Sequence, residues 1–131
     1  KGLLPESFKK DIAVTYLAGL FRSVRFGIGE AHGKGVAFQF NYLLEKGAIT
    51  YDEATGTFAV NFDTFEKWVQ ELVQEVCILQ ATGDYAGTRA FFEKYVTMPE
   101  SLSSALAKLD AVPVDIAPRY TLAEQLSEGT N

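Results

Sequence analysis

Residues 16–49 read YLAGLFRSVRFGIGEAHGKGVAFQFNYLLEKGAI, and the fold turns on them. They begin inside one apolar pattern at helical spacing, cross a run of glycines, and resume in a second such pattern. The first begins earlier in the chain. Phe8, Ile12, Tyr16, Leu17, Leu20, Phe21 and Val24 recur every three or four residues, the spacing of one helix face. Pro5 stands near its start and Gly27 at its stop. Lys9, Lys10, Arg22 and Arg25 occupy other sides, while Ala13, Ala18 and Gly19 leave room for a neighbouring helix. The second pattern predicts a helix over about 29–46, ended by Gly47 in the left-handed conformation. Its C-terminal half is apolar through Phe38, Phe40, Tyr42, Leu43 and Leu44. Its N-terminal half holds Gly29, Gly33 and Gly35, each costing ~1 kcal/mol against Ala in a helix interior. Two readings are open there: close approach of another backbone or a ligand, or a frayed turn between two helices.

After this segment the period changes to two. Ile49 and Tyr51, then Phe58, Val60 and Phe62, alternate around a turn at 52–56, predicting a small β-hairpin within 49–62. A lone hairpin is not independently stable, so it should lean on the helices. Asp63-Thr-Phe-Glu66 reads as an Asp-initiated capping box opening a third helix. Phe65, Trp68, Val69, Leu72, Val73, Val76 and Leu79 form its stripe, and Gly83 ends it. Asp84 caps a fourth helix with Tyr85, Phe91, Phe92 and Tyr95. Thr97-Met-Pro-Glu100 reads as a second capping box, with Pro99 in the first turn of a short helix carrying Leu102, Leu106 and Leu109. Beyond Asp110, Val112, Val114 and Ile116 alternate between two prolines, the pattern of an edge strand or extended arm. The fold class is therefore mainly α: a helical bundle-like lobe with one small hairpin and an extended C-terminal tail.

Composition sets the limits on function. The 131 residues amount to one domain, and a hydrophobic fraction of 47% argues against disorder. The net charge of −5, with no cluster of Lys or Arg, argues against nucleic acid as a partner. No apolar run approaches the roughly 20 residues that span a bilayer, so no membrane role is expected. The one cysteine, Cys77, permits no internal disulfide, which fits a cytoplasmic setting. It adjoins the third helix's stripe and reads as a buried small apolar residue, not a nucleophile. A catalytic zinc wants three protein ligands, and one His with one Cys cannot supply an ordinary site, so no metal is expected on this chain alone.

The one histidine, His32, sits among the glycines. Glu30 and Lys34 are one helical turn apart and should form an ordinary surface pair, with His32 on another line. Taken by itself, such a histidine is more often a hydrogen-bonded structural residue than a catalyst. Arg22 and Arg25, beside Ser23, suit a carboxylate grip or a solvated helix face equally. The glycines match no nucleotide-binding pattern.

The segment quoted first, together with LQATGDYAGTRAFFEKY at 79–95 and VPVDIAPRY at 112–120, resembles the C-terminal part of the dipeptidyl-peptidase III family of zinc metallopeptidases. The resemblance spans nearly all of the chain and is closest to the branch that can carry a nudix hydrolase domain. It implies a two-lobed enzyme that releases dipeptides from peptide N-termini, with zinc in the full-length parent. The zinc-binding helix and a second glutamate motif would lie ahead of the matched region. The chain, which starts at Lys1, is then expected to be a piece of that enzyme, inactive alone, with the remainder of the parent chain as its partner. By the same resemblance, Ala31-His32 matches a cleft histidine that stabilises the transition state, and His32 is the one catalytic candidate. Val36 stands where many members place an arginine, and no substrate-binding residue carries over. Residues 1–111 would form the helical part of the zinc-bearing lobe, and 112–131 a tail crossing to the other lobe. The competing reading is a non-catalytic helical accessory or interaction module of a nudix-type hydrolase.

Overall fold

A computed structural model describes residues 5–113. Five helices and one hairpin follow in order: α1 (Phe8–Val24), α2 (Ala31–Glu45), β1 (Ile49–Asp52), β2 (Thr57–Val60), α3 (Phe65–Thr82), α4 (Tyr85–Tyr95) and α5 (Glu100–Ala107). The expected class, mainly α with one hairpin, is what the structure shows. Val112 and Pro113 are described, but Val114, Ile116 and the rest of the tail fall outside the described residues.

The second helix organises the rest. It packs against α1, α3, α4 and β1, so apolar residues occupy nearly its whole circumference. Phe40, Tyr42 and Leu43 retain no exposed surface. Burying side chains of this size contributes about 1.5–3 kcal/mol each. On one side, Phe21, Phe40 and Phe58 meet at centroid distances of 5.2–5.5 Å, joining α1, α2 and β2. On another, Phe38, Tyr42, Phe91 and Tyr95 pack mostly edge to face and join α2 to α4. The Tyr42 hydroxyl donates to Glu75 Oε1 at 2.8 Å, tying α2 to α3. Burial, and then the Glu75 carboxylate, push that hydroxyl's pKa above its ordinary value, so it stays a donor. Trp68 on α3 lies beside the end of α2, with Lys46 Nζ 5.3 Å and Lys67 Nζ 4.5 Å from its ring centroid.

Helix ends follow local chemistry, with two surprises. Gly47 and Gly83 adopt positive φ of 71° and 65°, as a left-handed stop requires. Asp84 caps α4 as expected: its Oδ1 accepts from Gly87 N at 2.8 Å. A Cβ on Gly87 would lie 2.3 Å from Asp84 Oδ2, so glycine is what lets the carboxylate fold over the turn. The capping box at 63–66 does not form. Thr64 is the N-cap, without a side-chain bond, and its hydroxyl is buried with no partner among the described residues. Asn61 takes over instead: its carbonyl accepts from Phe65 N at 2.9 Å and its Oδ1 from Asp63 N at 3.2 Å. Asn61 N is also bonded to Ala48 O, so the chain arrives at α3 already turned. The box at 97–100 also fails, because Pro99 itself is the N-cap of α5.

The apolar stripes are narrower than their sequence patterns. On α1, Ala13, Leu17, Leu20 and Val24 are buried, whereas Phe8 and Ile12 are exposed. On α3, Phe65 and Leu72 are buried, while Val73 and Ile78 are exposed. Cys77 is exposed as well, against the expectation of a buried residue. The reason is coverage: α3 packs mainly on α2 and α4, and Val73, Cys77 and Ile78 lie off the face those helices cover. No helix among the described residues is long and apolar enough to cross a membrane.

Candidate functional site

His32 is the second residue of α2, and the loop before it determines how it is held. Gly27 N donates to Val24 O at 2.8 Å and ends α1. Gly27 then takes φ 88°, turning the chain, and Glu30 is extended at the N-cap of α2. The loop folds back over the first turn so closely that a Cβ on Gly33 would stand 1.9 Å from Gly27 O. This resolves the two readings of the glycine run: Gly33 admits another backbone, that of the chain's own loop. Gly35 meets nothing within 4 Å and has no such role.

The clamped turn leaves His32 exposed. Its ring borders a depression of about 330 Å³ with Arg22, Ser23, Phe26 and Glu30. Neither ring nitrogen has a hydrogen-bond partner among the described residues, so the imidazole is free to donate or accept there. The expected pair between Glu30 and Lys34 is not among the described ion pairs; only the backbone bond from Lys34 N to Glu30 O joins them. Val36 and Gln39, on His32's line, turn inward: Gln39 Nε2 donates to Gly35 O at 3.0 Å and its Oε1 accepts from the Tyr16 hydroxyl. Phe26 was given no role from the sequence, yet it is 68% exposed at the edge of the depression. Its signal was present in the sequence: an aromatic two residues past the end of the α1 stripe, just before a glycine.

The donor set here does not fit zinc. The depression offers His32 and Glu30 as ligands, short of the three protein ligands of a catalytic site. Among the described residues no three His, Cys, Asp or Glu side chains gather for a metal ion. Cys77 lies on α3 and is no part of this depression.

No family model matches the chain. Relatives do. Over 128 residues, 96% of its length, it is 47% identical to Nudix hydrolase 3 of Arabidopsis thaliana. The structure of DPP III from Caldithrix abyssi superimposes on 95% of it with a TM-score of 0.88 and 44% identity. The chain resembles part of a dipeptidyl-peptidase III. The same enzyme from Corallococcus sp. strain EGB matches 97% of it, with a TM-score of 0.81 and 42% identity. Identities above 40% alongside such scores bear out the dipeptidyl-peptidase III resemblance read from the sequence motifs, and the plant relative's name agrees with the nudix-carrying branch. The chain spans 16% of the plant protein and 24% of each solved dipeptidyl-peptidase III chain.

Proposed function

We propose that this chain is one part of a dipeptidyl-peptidase III-type enzyme that releases dipeptides from peptide N-termini. In it, His32 stabilises the transition state from the wall of the substrate cleft. The observation that carries the reading is the combination at His32: an exposed imidazole whose nitrogens have no partner among the described residues, on a helix turn against which the loop at Gly27 packs closely. Hydrolysis of a peptide bond develops negative charge on the former carbonyl oxygen. A ring N–H fixed before the reaction gains most when that charge appears, and a donor of this kind is worth ~2.7–4 kcal/mol. The depression beside it is open enough for a peptide backbone, with Phe26 and Ser23 at its edge.

Zinc, in this reading, is held by residues outside these 131, and the chain is inactive by itself. Residues 1–111 would form the helical part of the zinc-bearing lobe and 112–131 a tail reaching the other lobe. The parent would be a cytoplasmic enzyme. In the full-length protein, His32→Ala should lower kcat by roughly 10²–10³ with a much smaller change in KM, since the contact strengthens in the transition state. Thermal stability should hardly change. Unaltered turnover in the folded variant would overturn the assignment. The name of the plant relative favours one other reading, an accessory module of a nudix-type hydrolase, and a full-length protein that releases no dipeptides would support that reading.

A further inference from the structure

A second and larger depression, of about 710 Å³, runs between α1, β2 and α5. Leu17, Phe21, Phe58 and Leu109 contribute to its apolar lining. Val14 and Val112 also line it and are 52% and 48% exposed. Arg22, Arg25 and Lys108 are its cations. Carbonyls steady two of them: Arg25 Nη2 donates to Leu109 O at 3.2 Å and Val112 O at 3.0 Å, and Lys108 Nζ donates to Gly56 O at 3.1 Å. A carbonyl orients a cation without neutralising it. The described ion pairs belong to Lys9, Lys67 and Lys94, and none involves a cation of the groove.

Three cations without an ion pair among the described residues, on an apolar groove in a chain whose net charge is −5, specify what would fit there. A wholly apolar partner would desolvate the cations and leave them unpaired, which is costly. A second copy docked with this groove on the two-fold axis would set its cations against their own equivalents. Carboxylates on an otherwise apolar segment satisfy both requirements. Proteins of this kind have the chain to supply one, since the matched region is 24% of each solved relative.

We propose that the groove seats an acidic, amphipathic segment of the same polypeptide from outside these 131 residues. Its apolar side chains would lie on Phe21, Phe58 and Val112, and its carboxylates against Arg22, Arg25 and Lys108. The proposal rests on the reading of the chain as part of a larger enzyme, but not on any role for His32. Zero-length carbodiimide coupling of the full-length protein, followed by peptide mapping, tests it. The expected product joins Lys108 to an Asp or Glu outside residues 1–131, weakens at about 1 M salt as charges are screened, and is lost in Lys108→Arg. Lys94 and Glu45, 2.8 Å apart, provide the internal positive control. With that control formed, three results overturn the proposal: coupling of Lys108 to Asp115, Glu124 or Glu128 of the chain's own tail, coupling to a second copy, or no coupling. Turnover plays no part in the readout. A protein that couples as expected but is unaffected by His32→Ala would overturn the catalytic reading alone.

Discussion

At Gly33 a single methyl group would collide with Gly27 O, whereas at Gly35, two residues on, it would meet nothing within 4 Å. Gly33→Ala should therefore cost ~1–3 kcal/mol as the loop is pushed off α2. Gly35→Ala should stabilise by ~0.4–1 kcal/mol, because it restricts the unfolded chain and suits the helix. Urea unfolding of the two variants side by side measures the contrast. Charge at the residue scale has a sign that can be worked out at Glu45. Lys94, donating to it, is the main reason its carboxyl lies below the ordinary carboxylate range. A carboxyl depressed in the folded state contributes stability above its unfolded pKa, and that contribution is lost as pH falls through the folded value. Both side chains are about half exposed, at 43% and 55%, so the contribution is small. Lys94→Met should return the Glu45 titration, followed by carboxyl NMR, upward toward the ordinary range and leave the acid limb of stability shallower.

Elements differ in how their ends are made, and the difference is measurable. Asp84→Ala removes a formed cap and should cost ~1 kcal/mol. Thr64→Val removes a buried hydroxyl that has no partner, so it should be neutral or stabilise by up to ~1 kcal/mol. Chemical denaturation distinguishes the two. These sites also show why the helices were legible in the sequence while two of their starts were not. The apolar period of α2 and α3, and glycines such as Gly47 and Gly83, act locally and read directly. The failed cap at 63–66 depends on the hairpin delivering Asn61 to the turn first, a long-range event with no local signature. Exposure of Cys77, Val73 and Ile78 depends likewise on which elements cover α3. The candidate site divides the same way. His32 was legible through its motif, but the clamp of Gly27 on Gly33 is geometry, and nothing in the spacing of Arg22, Phe58 and Lys108 announces a shared groove.

For the molecule as a whole, ligand count gives the clearest expectation. The isolated 131-residue chain, dialysed against zinc and assayed by elemental analysis, should retain no stoichiometric metal, because among the described residues His32 has only Glu30 beside it as a further ligand. Tight one-to-one zinc would refute this and move the metal centre onto this chain. Integrity of the fold during such experiments can be followed without any label. Trp68 is the chain's one tryptophan, and two lysine ammonium groups lie over its ring where α3 meets the end of α2. Light absorbed beyond the tyrosine band is therefore re-emitted from a single seam. A shift in emission wavelength reports that seam opening, while events at the His32 depression or in the cationic groove stay dark unless they reach it.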